Sequence, residues 1–250
     1  ICVNGSLFGV DEPDTLAVAN LLRNDVAGGV KELLTVCGHF AVVAQSEDEI
    51  ICGRDMVGVK PLYYGENEDV YAVASNRKML WNINVDPKPV EPGHVVTMRG
   101  SYDVEDEALE RGEQEKRIEP EESVVETLDA VFRRASDDIA RKARRGALAF
   151  SGGIDSTLSA YYLKGSGVDL DLVCVGLGQR DEYGHAQAAA DALNVELRTF
   201  PFTQRELEAA LPEIVYSVEE SSPLSIGVAA PLYFVAAEAR DMGHDTVFTG

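Results

Sequence analysis

The stretch Ser-Gly-Gly-Ile-Asp-Ser at residues 151–156 combines residue types that can hold a phosphate group. Its two glycines let the backbone approach a ligand closely, and a helical pattern that starts within it would offer free N–H groups to an anion. Ser151 and Ser156 add hydroxyl donors. Asp155 would repel a phosphate unless a cation lay between them, so the combination predicts a polyphosphate bound together with Mg²⁺. It is not a Walker A loop, because the lysine of that motif is absent.

The same residues could instead form an ordinary Gly-Gly turn in which a Ser or Asp side chain caps the following helix. The surrounding sequence favours the phosphate site. An apolar run at 147–150 precedes the loop, and a helical pattern at 154–164 follows it. In an open α/β sheet, ligands bind beyond the carboxyl ends of the strands, which is where such a loop would lie.

The second half of the chain alternates between strand and helix patterns. Apolar residues recur at helical spacing along its first segment, namely Val124, Leu128, Val131, Ala135, Ile139 and Ala143. Strand patterns follow at 147–150, 171–177, 195–202 and 245–250, and helical patterns at 154–164, 182–194, 204–218 and 230–243. Such alternation predicts an α/β fold, a doubly wound parallel sheet with helices on both faces.

The first half is rich in short β patterns. They are separated by Gly, Asn, Asp and Pro clusters and lie at 39–45, 49–55, 61–65, 69–75 and 94–100. One helical pattern interrupts them at 14–24. Residues 101–123 are strongly charged and poor in apolar residues, which is typical of a linker. We therefore predict a β-rich α+β domain at 1–107, a linker at 108–123 and the α/β domain at 124–250.

The composition narrows the classes of partner. The 250 residues include 43 acidic and 22 basic side chains, a net charge of −21, which makes nucleic acid and anionic membranes poor partners. Cys2, Cys37, Cys52 and Cys174 show no metal-ligand spacing, and we expect the last three, which lie in apolar surroundings, to be buried. No signal peptide or long apolar run is present, so we expect a cytoplasmic location. Ile1 in place of Met and the uncapped apolar run at the end indicate part of a longer protein.

Residues 151–156 resemble the pyrophosphate-binding loop of the N-type ATP pyrophosphatases, which include asparagine, GMP, NAD and argininosuccinate synthetases. Further segments resemble the glutamine-hydrolysing asparagine synthetase family in particular: GRDMVGVKPLYYG at 53–65, a strand and helix at 174–203, and the segment at 214–250. Alone, 53–65 indicates a β-hairpin with a glycine turn and no evident chemistry. The resemblance covers nearly the whole chain. It implies a partial class II glutamine amidotransferase-like domain and then an adenine nucleotide alpha hydrolase-like domain that is truncated at its C-terminus.

The resemblance assigns the nucleotide site residue by residue. The residues that match ATP- and pyrophosphate-binding positions are Phe150, Ser151, Gly152, Gly153, Asp155, Ser156, Val175, Gly176, Thr249 and Gly250. Asp155 is also the expected Mg²⁺ ligand. Val175 and Gly176 match the strand end beside the adenine, and Thr249 and Gly250 match the start of a second ATP loop. The family's further acidic residues and its lysine align beyond residue 250.

The first domain matches the family less completely. Asn4 and Gly5 match the oxyanion hole of the glutaminase, and Asp14 matches the carboxylate that grips the α-amino group of glutamine. The segment around Asn4 could also form a plain turn. Cys2 is a candidate nucleophile, but Ile1 precedes it, whereas the family's nucleophilic Cys is N-terminal and its free α-amino group can act as the base. The family's arginine segment is not recognisable.

The resemblance implies an ATP-dependent ligase of amino-acid biosynthesis. ATP and Mg²⁺ would activate the aspartate side-chain carboxylate by adenylation, with release of pyrophosphate, and ammonia from glutamine or from solution would displace AMP. Two alternatives stay open: a related amide-forming synthetase acting on another carboxylate, as β-lactam-forming relatives do, and a non-catalytic ATP-binding relative. The expected partners are small molecules, namely ATP, aspartate or a similar carboxylate, and glutamine or ammonia. Neither nucleic acid nor a membrane is expected, and a homodimer is left open.

Overall fold

The computed structural model describes residues 1–46, 48–99, 103–109, 121–178 and 183–250, with the backbone alone for 121 and 122. By its internal contacts the chain divides into two compact units, Ile1–Lys116 and Arg117–Gly250. Most of the predicted linker at 108–123 lies outside the described residues. In the part of the chain that is described, no single helix is long and apolar enough to cross a membrane; one pair of consecutive helices, bent by 105°, meets the same criterion only when taken together.

The first unit contains two antiparallel sheets. Its elements are β1 (Cys2–Leu7), α1 (Asp14–Leu22), α2 (Val26–Leu33), β2 (Gly38–Ser46), β3 (Glu49–Arg54), β4 (Tyr63–Glu66), β5 (Tyr71–Ala74), α3 (Arg77–Trp81), β6 (Lys88–Pro89), β7 (His94–Arg99) and β8 (Asp103–Ala108). The larger sheet has the strand order β1-β2-β3-β7-β8, and the smaller has the order β5-β4-β6. The predicted β-rich character of this half is confirmed. The sequence pattern missed α2, whose N-terminus is capped by the Asp25 carboxylate, which accepts from the Gly28 N–H at 3.0 Å.

The central strands β2, β3 and β7 of the larger sheet are buried on both faces, which explains the continuous apolar run in β2. Phe40 and Val42 pack with α1 and α2 in one core, whereas Ala41 packs with Tyr64 of β4 in another. Because successive side chains of a strand point to opposite faces, one apolar run contributes to both cores. The unit is therefore layered as helices, five-stranded sheet and three-stranded sheet.

Part of the segment with linker composition, residues 103–108, forms the edge strand β8. Residues 103–107 of this strand lie within the predicted first domain at 1–107. β8 pairs with β7 along its whole length. Two of its acidic side chains have basic partners on β7: His94 Nδ1 lies 2.7 Å from Asp106 Oδ1, and Arg99 Nη1 lies 2.9 Å from Glu105 Oε2. Cross-strand pairs of opposite charge stabilise a sheet, which is why a strongly charged segment is ordered here.

The connection from β3 to β4 is not the hairpin that the segment 53–65 suggested, because the two strands lie in different sheets. The side chain of Arg54 holds this connection in place. It donates to the backbone carbonyl oxygens of Gly58 at 2.6 Å, Lys60 at 2.7 Å and Val90 at 3.0 Å. These three bonds fix the loop against the segment that precedes β7.

Asp55 supports the same connection from inside the protein. It is 2% exposed, and its Oδ1 accepts from the N–H groups of Val57 at 3.0 Å and Gly58 at 2.7 Å. Its Oδ2 accepts from the Phe40 N–H of β2 at 3.1 Å. A buried carboxylate is tolerated when backbone donors satisfy it. The Arg-Asp pair of GRDMVGVKPLYYG therefore has a structural role that the sequence alone did not reveal.

The second unit is a four-stranded parallel sheet with helices on both faces. Its elements are α4 (Glu121–Lys142), β9 (Arg145–Ala149), α5 (Ile154–Gly165), β10 (Asp169–Leu177), α6 (Gly184–Leu193), β11 (Leu197–Phe202), α7 (Gln204–Val218), α8 (Pro223–Asp241) and β12 (Val247–Phe248). The strand order is β11-β10-β9-β12. Helices α5 and α6 pack against one face around Leu148 and Leu172, and α8 packs against the other through Val235 and Ala239. The predicted doubly wound sheet is confirmed.

Helix α8 begins at Pro223, so the predicted start at residue 230 was wrong. The Ser222 hydroxyl caps the helix by accepting from the Ser225 N–H at 3.1 Å. Pro223 lies in the first turn, where the missing N–H costs no hydrogen bond. A second proline, Pro231, lies inside the helix, where the sequence pattern had placed the N-terminus.

Two of the three cysteines that were expected to be buried are buried. Cys52 lies in β3 and Cys174 in β10, whereas Cys37 is exposed because it lies in the bend that precedes β2. Burial raises the pKa of Cys52 to about 12, with a smaller contribution from the Asp106 charge. Burial also raises the pKa of Cys174. Both side chains therefore stay protonated at neutral pH.

Candidate functional site

The strand order creates a crevice between β9 and β12. β9 comes first along the chain, β10 and β11 lie on one side of it, and β12 lies on the other. In doubly wound sheets, ligands bind at the carboxyl ends of the strands where the order reverses in this way. A cleft of about 640 Å³ lies at this position, which is the size of a small-molecule site. The predicted site residues that line it are Phe150, Ser151, Asp155, Ser156, Val175, Thr249 and Gly250.

The loop after β9 leaves the first turn of α5 open. Gly153 is the N-cap residue of α5, and no side chain caps the helix. The Ser or Asp cap of the alternative interpretation is therefore absent from this helix. Ser151 Oγ accepts from the Gly153 N–H at 3.2 Å and lies 3.2 Å from Ser156 Oγ. Ser156 Oγ also donates to the Gly153 carbonyl oxygen at 3.3 Å. Two hydroxyls thus line the cleft beside the uncapped N-terminus of a helix, and such a terminus favours an anion.

Three predicted glycines support the cleft without lining it. Gly152 has a φ of +75°, and a Cβ on it would lie 2.6 Å from the Cα of Ala186. It therefore lets the loop pack directly against the first turn of α6. A Cβ on Gly176 would lie 3.0 Å from the hydroxyl of Tyr183, so this glycine makes room for a side chain at the start of α6. Gly153 supplies the uncapped N-cap position.

Gly250 brings the end of β12 against the same helix. A Cβ on it would lie 2.7 Å from both Cα and N of Ser156. The two predicted ATP loops, one after β9 and one after β12, therefore meet at the first turn of α5. A larger residue at position 250 would collide with this backbone. We call the first turn of α5, together with the two loops that meet there, the cradle.

Asp155 is the acidic side chain of this cradle. Across the described ranges, no group of three or more His, Cys, Asp or Glu residues is arranged to hold a metal ion. Mg²⁺ commonly uses one or two protein carboxylates and takes its other ligands from substrate phosphates and water. A single exposed carboxylate at the edge of the cradle fits that mode, and it does not fit a metal site built from protein ligands alone.

An apolar wall, which the sequence analysis missed, closes the other side of the cleft. Val228, Leu232 and Val235 of α8 line it, opposite Val173 and Val175 of β10. The spacing of the three α8 residues places them on one face of the helix. Val235 is 2% exposed and Val228 is 61% exposed, so this face continues from the core out to the cleft. Such a wall suits the flat apolar part of a ligand whose polar part lies at the phosphate loop.

The candidate glutaminase residues lie together at β1 and the start of α1. Asn4 and Gly5 are exposed residues of β1, paired with Ala41 and Phe40 of β2, so the plain-turn alternative is wrong. A Cβ on Gly5 would lie 2.0 Å from a backbone oxygen of β2, so a glycine is required there for packing. Asp14 Oδ2 accepts from the backbone N–H of the last residue of β1 at 3.3 Å. The structure thus places Asp14 beside the carboxyl end of β1 and places Asn4 and Gly5 in the middle of the same edge strand.

Two family models match the chain. Residues 127–250 match the model described as asparagine synthase, and residues 9–82 match the model described as glutamine amidotransferase domain.

Curated relatives match across both segments. An asparagine synthetase (glutamine-hydrolyzing) 1 of Bacillus subtilis is 30% identical, over 81% of this chain and 37% of that protein. An asparagine synthetase (glutamine-hydrolyzing) of Sandersonia aurantiaca is 25% identical, over 84% of this chain and 42% of that protein. A carboxyethyl-arginine beta-lactam-synthase of Streptomyces clavuligerus is 28% identical, over 79% of this chain and 42% of that protein.

The chain thus spans about two fifths of the length of these relatives. The two family models follow one another in the order of the two units and together cover most of the sequence. The chain therefore belongs to the asparagine synthetase family.

Proposed function

We propose that this chain contains the ATP-binding part of an amide-forming ligase. The ligase adenylates a carboxylate, releases pyrophosphate, and lets ammonia displace AMP. One observation carries the proposal: two loops meet at the uncapped first turn of α5, beside a single carboxylate and an apolar wall. Family membership supports the same reaction class.

The residues of the cradle have defined tasks in this proposal. The N–H groups of the first turn of α5, together with the hydroxyls of Ser151 and Ser156, donate to the β- and γ-phosphate oxygens of ATP. These donors stabilise the negative charge that grows on the departing pyrophosphate. Gly152 and Gly250 keep the two loops close enough for the backbone to make these contacts. Asp155 would hold Mg²⁺, which neutralises phosphate charge when it is bound.

The apolar wall has a different task. Val228 and Leu232 of α8 and Val175 of β10 bind the purine, and this contact fixes the α-phosphate in front of the incoming carboxylate. We propose aspartate as the acceptor, through its side-chain carboxylate. The nitrogen comes from free ammonia or from glutamine. In the glutamine case, Asn4 and Gly5 stabilise the oxyanion and Asp14 binds the α-amino group of glutamine.

A second acceptor remains a candidate because of one relative. The Streptomyces clavuligerus protein that matches both segments is named a beta-lactam-synthase and not an asparagine synthetase. The same cradle would serve a ligase that adenylates another carboxylate. Pyrophosphate release measured with aspartate and with a panel of other carboxylic acids separates the two acceptors.

Calorimetric titration with ATP and Mg²⁺ tests the nucleotide site. We expect binding, and we expect Asp155→Asn to weaken the Mg²⁺-dependent part by about tenfold or more. Asp137→Asn is the matched control, because Asp137 is an exposed aspartate of α4 away from the cleft and the change in charge is the same. Absence of ATP binding would contradict the proposed nucleotide site. Binding without pyrophosphate release, for any carboxylate, would indicate a non-catalytic ATP-binding protein.

A further inference from the structure

A buried histidine links the segment before β12 to the middle of the parallel sheet, at the end opposite the cleft. The Nε2 atom of His244 lies 2.7 Å from Asp171 Oδ2, and the His244 side chain is 1% exposed. His244 follows α8, and Asp171 lies near the amino end of β10. A hydrogen bond that is shielded from water and joins residues 73 positions apart restrains both segments.

The same carboxylate contacts two further strands. Arg198 of β11 places its Nε 3.2 Å from Asp171 Oδ1, and Arg145 of β9 places an Nη atom 4.0 Å from Oδ2. Asp171, itself in β10, therefore connects β9, β11 and the segment that leads into β12 at the amino ends of the strands. The two arginines are 43% and 58% exposed, so solvent screens their pairs with Asp171, whereas the bond to His244 is enclosed.

β12 depends on such an anchor because its own ladder is very short. Val247 and Phe248 pair with β9, and one more bond runs from the Ala147 N–H to the Thr246 carbonyl oxygen at 3.0 Å. A strand held by so few backbone bonds shifts easily unless other contacts fix its ends. At its far end the strand leads to Gly250, which packs on the first turn of α5.

We infer that the His244–Asp171 bond positions the side of the cleft that Thr249 and Gly250 form. It fixes the entry of β12 and thereby sets where Thr249 and Gly250 meet α5. Gly250 lies six positions after His244, a span of about 20 Å in extended chain, so a shift at the anchor passes along the strand to the cleft. The consequence for nucleotide binding rests on the proposed function, whereas the positioning of β12 does not.

Hydrogen exchange of the 250-residue chain without nucleotide tests the positioning directly. His244→Leu removes the bond, and we expect the backbone amides of 245–250 to exchange about tenfold faster. Arg198→Gln is the matched control, because it removes a pair with the same Asp171 carboxylate from the other side of the sheet. We expect exchange at 245–250 to stay unchanged in this control. His244→Gln keeps an amide donor near the position of Nε2 and is expected to restore protection.

Titration with ATP and Mg²⁺ then tests the consequence. We expect His244→Leu to weaken binding by about tenfold, and we expect His244→Gln and Arg198→Gln to bind like the unchanged chain. Equal exchange at 245–250 in the leucine variant and the unchanged chain would overturn the inference, and so would equal acceleration in His244→Leu and Arg198→Gln. If the leucine variant does not fold, His244→Asn, whose amide is too short to reach Asp171, replaces it. If the unchanged chain does not bind ATP, the proposed function fails while the exchange result still decides the inference.

Discussion

Replacing Gly152 by alanine is expected to destabilise the second unit and to weaken nucleotide binding. Gly152 has a φ of +75°, and a Cβ on it would lie 2.6 Å from Ala186 Cα and 2.9 Å from Ala186 N. Both are backbone atoms of α6, so they cannot move aside as the end of a flexible side chain would. The substitution therefore combines backbone strain with a collision between the phosphate loop and α6.

A second glycine separates these two costs. Gly167, just after α5, has a φ of +81°, but nothing lies within 4 Å of a Cβ placed on it. An L-residue in this left-handed conformation costs about 1–2 kcal/mol, and both substitutions carry that cost. Overpacking against fixed atoms adds about 1–3 kcal/mol. We therefore expect Gly167→Ala to lower the free energy of unfolding by about 1–2 kcal/mol and Gly152→Ala to lower it by about 2–5 kcal/mol.

The assay must report on the second unit alone, because a chain of two units need not unfold in one step. A urea titration in which hydrogen exchange is measured for peptides from β9 and β10 meets this requirement. Calorimetry with ATP and Mg²⁺ gives the functional result, with weaker binding in Gly152→Ala and unchanged binding in Gly167→Ala. If the two variants lose the same stability and bind ATP equally well, contact between this loop and α6 does not limit the residue at position 152, and the reasoning is refuted.

The remaining predictions concern the first unit. Asp55→Ala should lower its free energy of unfolding by about 3–5 kcal/mol, because buried backbone donors lose their acceptor. Asp69→Ala, a change of an exposed aspartate in the same unit, should stay within about 0.5 kcal/mol, and similar losses in both would contradict the structural role of Asp55. Cys2 and Cys37 should react with an alkylating reagent in the native protein at pH 8, as read by mass spectrometry. Cys52, whose pKa is raised to about 12, should react only on unfolding, and its alkylation in the folded chain would refute its burial. Since the unfolded thiol ionises at lower pH than the folded one, Cys52 should also reduce stability as the pH rises above 9.

Local patterns were sufficient to single out the loop at 151–156 and to predict the class of the second unit. The glycines, hydroxyls and carboxylate of 151–156 stand between a strand pattern and a helix pattern, and the periodicity of each neighbour is a property of adjacent residues. The alternation of these patterns predicted the parallel sheet that the structure contains. The same information misplaced the start of α8 and did not predict β8. A helix that contains a proline and a strand rich in charged residues are both stabilised by partners in distant segments.

What the sequence by itself determined is the chemistry available at 151–156, since it follows from residue type and local spacing. The tertiary structure alone decided which segments meet that loop. The contact between Gly250 and α5, the apolar wall from α8 and the bond between His244 and Asp171 all join residues far apart in the chain. Each depends on the strand order β11-β10-β9-β12. That order is set by the packing of helices on both faces of the sheet. The packing energy is shared among side chains that are distant in the chain, so no local pattern contains it.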